Sequence, residues 1–417
     1  MNTYRINMRY TGINFENVKF NNRSAILHLL YSEGAMSRKD IAGRTGLTAA
    51  SVTQLCGKLL EEGVIVELGE AVEEKRAGRR KIPVDINPGY RYIPCIAIEA
   101  QETHVSVADC RGNLIGQTVL TTDSTIPAKE FLWNAAEEIR KILWDKGISR
   151  YDLLGAAVSV PGQVDREKGI SVNSYSIWNY PVPVADILKE QLGVAVVVEN
   201  NLKSAAECEI LFGSGRKASD FLVVKWGPGV GSAIIIDHRI YKGAEGISGE
   251  LGHTTLGKNG RLCNCGRRGC LETEISTHAI MRDIQTAYAE EPEEVPAFAA
   301  WIQAGNAMSY RNVSQWAALD DGGMQRILAE KIDKLAFSVR NYCALINPER
   351  IVLTGYMFDV EGMYERFVDS YREYDETIRE DFLVRSNIRE QKEHMACLAT
   401  ALNAFFFSMN HIEAKNE

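Results

Sequence analysis

A chain of 417 residues, 45% hydrophobic and 24% charged, is long enough for two or three folded domains and too evenly mixed to be disordered or membrane-embedded. Its net charge of −8 is unevenly spread: residues 1–81 hold 13 Lys and Arg against 9 Asp and Glu, so a basic head of +4 precedes a body of −12. No apolar run reaches the roughly 18 residues that span a bilayer, residues 1–12 carry no signal-peptide core, and nine cysteines are an odd number for a disulfide framework; a cytoplasmic protein with no membrane partner is expected.

In the head, Ile26, Leu27, Leu29 and Leu30 recur on a helical period within 22–33, and Gly34 ends that helix. Ser37-Arg38-Lys39-Asp40 opens a short second helix in the manner of a capping box. Gly46 supplies a turn, and Thr48 caps a third helix whose buried stripe is Val52, Leu55, Leu59 and Leu60. Helix, short helix, glycine turn, helix is the helix-turn-helix order. Two strands, 63–67 and 82–86, flank a basic loop with Arg76, Gly78, Arg79 and Arg80, which makes a wing. A basic winged head implies double-stranded DNA as partner. Its expected reading face is Arg38, Thr48, Ala49, Ser51, Gln54 and Lys58, with Gln54 suited to a base edge, Thr48, Ser51 and Lys58 to phosphates, and Arg79 or Arg80 to the minor groove. A three-helix protein-interaction module shares the helices but does not need the arginine-bearing wing.

In the body, 92–99, 103–108 and 114–120 read as three strands, 131–144 as a helix and 153–160 as a buried strand. This β-β-β-α-β order is partly echoed after Ser219 by strands at 221–226, 232–237 and 350–354, which predicts an α/β body of two similar lobes. Residues 292–325 start acidic, then turn Trp-, Gly- and Asp-rich, and match no motif.

The densest chemistry lies at 249–272. Cys263, Cys265 and Cys270 fall within eight residues, and His253 lies ten residues upstream of the first. Three thiolates and an imidazole make a tetrahedral Cys₃His site of the kind zinc prefers, with no position left open for water, so one structural zinc per chain is expected. Buried, unmetallated thiols are the alternative, but a Cys-x-Cys-x₄-Cys run rich in Gly and Arg is not core-like.

This stretch resembles the signature of the ROK family of sugar-responsive repressors and sugar kinases: Glu-x-Gly-His, then Cys-x-Cys-Gly-x-x-Gly-Cys-x-Glu. Glu250, Gly252, His253, Cys263, Cys265, Gly266, Gly269, Cys270 and Glu272 match it. Gly78-Arg79-Arg80 resembles the Gly-Arg-Arg wing of the repressors. The resemblance implies a two-lobed ribonuclease-H-like, actin-like body behind a winged helix-turn-helix, with a sugar cleft lined by Asn173, Asn200, Asn201, Glu250, His253 and Glu272. It also implies what a kinase of this kind needs: an Asp-x-Gly-Gly-Thr phosphate loop, a Glu-Asn-Asp base, a second glycine loop and a later glycine run. Here these read Glu99-Ala100-Gln101-Glu102-Thr103, Glu199-Asn200-Asn201, Gly227-Pro228-Gly229-Val230-Gly231-Ser232 and Thr354-Gly355-Tyr356. Asn201 is no base, because a carboxamide takes no proton near neutrality. Glu102 places an anion where phosphate would sit.

The expectation is therefore a cytoplasmic, sugar-responsive DNA-binding repressor of carbohydrate genes without kinase activity. It would act as a homodimer or dimer of dimers on operator DNA, with a small sugar or sugar derivative as effector. The alternative is a sugar kinase with an appended DNA-binding head. Expected domains are 1–89, the winged head; 90–200, the first lobe, with a C-terminal helix at about 394–412 packed back onto it; and 201–393, the second lobe with the zinc loop.

Overall fold

The head assembles from helices α1 (Phe15–Glu33), α2 (Arg38–Thr45) and α3 (Ala49–Glu61), with strands β1 (Met36–Ser37), β2 (Ile65–Glu67) and β3 (Pro83–Ile86). The computed structural model describes residues 15–69, 82–174, 177–244, 246–388 and 392–408. The wing-tip residues Arg76, Gly78, Arg79 and Arg80 lie outside them. Each helix boundary has a local cause. Ser37 accepts from the Asp40 N–H at 3.3 Å and starts α2; Gly46, at φ +71°, ends it; Thr48 accepts from the Ser51 N–H at 3.2 Å and starts α3. Ile26, Leu27, Leu30, Ile41, Val52, Leu55 and Leu59 close the head's core. β3 pairs antiparallel with both β1 and β2.

The first lobe contains β4 (Tyr92–Ile98), β5 (Glu102–Asp109), β6 (Leu114–Thr121), α4 (Ala128–Asp145), β7 (Ala156–Val160), the hairpin β8 (Gln163–Asp165) and β9 (Ile170–Asn173), α5 (Val184–Leu192) and β10 (Val196–Asn200), and the chain then enters α6 (Asn201–Leu211). The second lobe follows with β11 (Phe221–Trp226), β12 (Val230–Ile236), β13 (Arg239–Ile240), α7 (Glu272–Ile275), α8 (Thr277–Glu290), α9 (Pro296–Gln303), α10 (Val313–Trp316), α11 (Gly322–Ile346), β14 (Arg350–Thr354), α12 (Tyr356–Asp359), α13 (Met363–Tyr374) and β15 (Leu383–Arg385). The two five-stranded sheets run in the orders β6-β5-β4-β7-β10 and β13-β12-β11-β14-β15. In each, the lobe's first strand is central, its next two strands form an antiparallel meander on one side, and two parallel strands lie on the other. This is the duplicated, two-lobed α/β fold expected from the repeated strand order.

Central strands buried on both faces read as continuous apolar runs, as β4 and β11 do. One face of the first sheet packs on α4 and α5, through Phe131, Ile139 and Leu188, with Trp178 from the segment before α5. One face of the second packs on α8, α11 and α13, through Ile280, Leu335 and Phe367. Residues 292–325 add to that second core: α9 and α10 bury Phe298, Val313 and Trp316, and Asp321 ties the segment down by capping α11 and accepting from the Ala297 and Phe298 N–H groups.

Helix α14 (Lys392–Ala401), which continues as a π-turn over Leu402–Phe406, lies on the first sheet's other face. Its Cys397 thiol reaches the Ala157 carbonyl at 3.2 Å, and His394 Nδ1 lies 2.7 Å from Ser106 Oγ. α6 also stands between the lobes. Ala206 joins the core against β11, β12 and β14, while Ser204 meets Thr400 of α14 at 2.9 Å. The head docks on this region. His28 stacks on Phe407 at 3.7 Å between ring centroids, Arg111 Nη1 donates to the Leu30 carbonyl at 2.9 Å, and Arg216 Nη2 donates to the Ser32 carbonyl at 2.7 Å.

Candidate functional site

On the head, Ala49 and Gln54 are exposed on α3 and free to face a groove, while Ser51 and Lys58 are half-buried. The Thr48 and Ser51 hydroxyls bond each other at 2.9 Å and so form a linked pair at the start of α3. Arg38 differs from the expected free contact: its guanidinium is held by Glu67 of the wing strand at 2.6 Å. That pair fixes the wing against α2. Arg79 and Arg80 fall outside the described residues.

His253, Cys263, Cys265 and Cys270 converge, with one ligand atom from each lying within 4.8 Å of the others. Cys263 Sγ is 3.6 Å from His253 Nδ1, and Cys265 Sγ is 3.6 Å from Cys270 Sγ. Tetrahedral zinc–thiolate geometry places sulfurs about 3.8 Å apart, so the donor set and its spacing fit such a metal. The loop gets there through two left-handed glycines. Gly266 (φ +83°) turns the chain after Cys265, and Gly269 (φ +73°) lies so close to the Gly257 carbonyl that a Cβ would meet it at 1.8 Å. Burial raises the Cys265 thiol, but hydrogen bonds from Arg267 and from the two neighbouring thiols outweigh it and bring it down to about 7. Cys270, more enclosed, is pushed up to about 12 by burial and by its fellow thiols. Burial and Arg267 both lower His253, keeping its imidazole neutral. A neutral imidazole and a thiol poised to ionise are the forms a metal takes.

His253 also joins the cluster to the cleft. Its Nδ1 faces the sulfurs, and its Nε2 faces the Glu250 carboxylate at 3.7 Å. Burial raises Glu250, against the pull of Lys203 and Arg267, and its side chain still reaches solvent. Glu272, buried deeper, is raised by burial and held partly down by the Val230 N–H, which donates to it at 3.0 Å. Asn201 stands at the first turn of α6, where Nδ2 donates to Glu99 Oε1 at 3.0 Å. Asn200 is more committed to the backbone. Its Oδ1 caps α6 by accepting from the Leu202 and Lys203 N–H groups at 2.9 and 3.1 Å, and its Nδ2 donates to the Gly162 carbonyl at 2.7 Å. Asn173 ends β9 beside that same Gly162, whose Cβ would strike the Asn173 carbonyl at 2.0 Å. Arg166 bridges Glu199 at 2.6 Å and Glu207 at 2.8 Å, an ion triad that fixes the end of β10 against the middle of α6.

Around Glu99, aromatic and charged side chains of both lobes meet. Tyr356 follows Gly355, and its ring lies on Gly227, where a Cβ would meet Cδ2 at 3.4 Å. Tyr310 packs on Tyr356 with centroids 5.6 Å apart. Burial, then the carboxylates of Glu393, Glu99 and Glu102 together with Tyr310, raise the Tyr356 phenol well above its usual range, so it stays neutral. Glu102 is not the bare anion that the sequence suggests: Arg311 Nη2 pairs with it at 2.9 Å. Lys225 Nζ lies 3.6 Å from Glu99 Oε1. Sequence reasoning missed Lys225, Arg311 and Tyr310, since no local pattern marks them, and it gave Glu99 a place in a lost phosphate loop but no partner.

Comparison with known proteins agrees with this geometry. A winged helix-turn-helix DNA-binding family matches residues 21–66. The xylose repressor of Bacillus subtilis is 25% identical over 348 residues, covering 83% of this chain and 85% of that protein. A glucokinase of Halalkalibacterium halodurans is 29% identical over 245 residues, covering 58% of this chain and 74% of the kinase. A crystal structure of a ROK family transcriptional regulator, a homologue of the E. coli Mlc protein, superposes with a TM-score of 0.76 at 22% identity over 96% of this chain and all of that one. The ROK family matches residues 95–401, the whole body from β4 to the end of α14. Two lobes of one strand order, a Cys₃His cluster and that match together place the chain in the ROK family.

Proposed function

We propose that this protein is a sugar-responsive DNA-binding transcriptional repressor of carbohydrate genes that binds its effector without phosphorylating it. One observation carries the reading: the cleft keeps polar groups suited to sugar hydroxyls, while Asn201 stands where the kinases' base stands and Tyr356 covers the glycine loop on the phosphate side. A winged head on this chain and the match to a xylose repressor over 83% of this chain and 85% of that protein support it, with a small sugar as the effector class. Glu250, Glu272, His253 and Asn201 line the sugar side, with Asn173 and the spare valences of Asn200 behind them. A site built to bond hydroxyls rejects ligands that lack them.

In this reading the chain divides into 1–89, 90–200 with the α14 region, and 201–393. His253, Cys263, Cys265 and Cys270 hold one structural zinc, which supplies no chemistry beyond fixing the loop that carries His253 and Glu272. The head reads operator DNA from a dimer, because two-fold proteins read two half-sites. The working compartment is the cytoplasm, where DNA and phosphorylatable sugars meet; among the described residues no helix is long and apolar enough to cross a membrane.

The glucokinase relative keeps the kinase reading as the rival. A coupled ADP-release assay over a panel of pentoses, hexoses and amino sugars decides between them, for the native chain and for Asn201→Asp. The expected outcome is no turnover in either, because restoring the carboxylate leaves Tyr356 over the glycine loop and Arg311–Glu102 across the phosphate side. Turnover of the native chain on the order of 1 s⁻¹ would overturn the repressor-only reading.

A further inference from the structure

We propose that the phosphate side of the cleft has become a latch between the lobes, in which Glu99 and Glu102 of the first lobe pair with Lys225 and Arg311 of the second and Glu99 orients the Asn201 amide toward the effector. The orientation half rests on the sugar-site reading above; the latch does not.

The turn between β4 and β5 is closed by the Glu99 N–H donating to the Glu102 carbonyl at 2.8 Å, which holds both carboxylates at one corner of the first lobe. Two cations meet them from across the cleft. Lys225, on β11, lies 3.6 Å from Glu99. Arg311 lies 2.9 Å from Glu102 and also donates to the Gln101 carbonyl at 3.4 Å. Arg311 does not swing freely: its neighbour Tyr310 is only 6% exposed and packs on Tyr356, which is seated on the second lobe's glycine loop. The segment that carries Arg311 matches no motif in the sequence, yet it brings a guanidinium to the corner where a nucleotide-binding relative of this fold would bring phosphate. An anion and its counter-charge, both supplied by the chain, replace the nucleotide's role of bridging the lobes.

Glu99 also works inward. A carboxylate only accepts, so the amide of Asn201 must turn Nδ2 toward it, and Oδ1 is left as the atom the cleft can use. A sugar hydroxyl then donates to Asn201 while Glu99 is held in place by Lys225. Effector binding and latch closure favour one another, which is how a ligand biases a two-state arrangement. The ion pairs are a quarter to a half exposed on each side, so the latch is weak and salt-sensitive, as suits an element that must open.

The test uses the full chain with Arg311→Ala, Glu102→Gln and the charge-swapped pair Glu102→Arg with Arg311→Glu. Hydrogen–deuterium exchange of residues 99–103 and 309–313, without ligand, should rise about two- to fivefold in each single variant and return toward the native rate in the swapped pair. Calorimetry with D-xylose and D-glucose should show each single variant, and Glu99→Gln, binding whichever sugar the native chain binds about two- to tenfold more weakly. Glu99→Gln acts because a glutamine offers an N–H of its own and lets the Asn201 amide flip. Unchanged exchange in both single variants, or a swapped pair as loose as the singles, would overturn the latch. If exchange behaves as expected but the native chain binds none of the pentose, hexose and amino-sugar panel, the latch stands and the effector reading falls.

Discussion

His253 is the residue on which the cysteine cluster and Glu250 meet, since its two nitrogens face different partners. The Nδ1 side predicts the effect of removing a thiolate. Cys263→Ser should release the metal and cost about 4 kcal/mol or more, because metal affinity at such a site is folding free energy. Elemental analysis of the purified protein and a melt with and without chelator check it; a native chain without metal, indifferent to chelator, would remove the zinc. The ligand set is legible in the sequence because three of its four members sit on one short turn-rich run, where spacing stands for geometry. The contacts that shape Asn201 are not legible. Its partner Glu99 is 102 residues away, and Arg311 reaches across 210 residues to Gln101. Glu102 shows what is lost when a residue is judged without its partner: as a bare anion it would repel a nucleotide, whereas in the fold it is one half of an ion pair.

At the scale of elements, strands announce themselves by apolar runs and helices by period. The 3-2-1-4-5 order of each sheet follows once the repeat is seen. What periodicity does not show is how one element is clamped to the next. The Arg166–Glu199–Glu207 triad clamps the β8–β9 hairpin region to β10 and α6. Arg166→Met would leave two largely buried carboxylates facing each other and should cost about 3–5 kcal/mol in a denaturant titration; a loss under about 1 kcal/mol would make the triad ornamental. The docking of α1 on the π-turn predicts a pH dependence. Burial lowers His28 to about 4, and likewise His394, whose Nε2 has no hydrogen-bond partner among the described residues. Below about pH 6.5 the unfolded chain takes up protons that the folded one refuses until near pH 4. Stability should therefore be full above pH 6.5 and fall as pH drops from 6.5 to 4, by roughly 1–3 kcal/mol for each histidine. His28→Phe, which keeps an aromatic ring to stack on Phe407, should flatten that slope when melts are run across the window. A native chain equally stable at pH 4.5 and 7 would contradict the assignment.

Across the whole molecule, α6 gives the two functions a common part. It begins at Asn201 on the cleft wall, runs between the two sheets, and ends where the Phe212 ring lies 5.6 Å from Tyr31 of the head. A change in how the lobes meet at Asn201 has a short, packed route to the helix that carries the DNA-reading unit. The most direct test is an anisotropy titration. A fluorescent duplex, selected from random DNA by the protein itself, is titrated with the full chain in the presence and absence of each sugar of a pentose, hexose and amino-sugar panel. A sugar-responsive repressor should show a salt-dependent affinity for the duplex, and at least one sugar should weaken it about tenfold, within the usual range of coupling between two sites. A chain that selects no duplex, or one whose duplex affinity no sugar alters, would contradict that function.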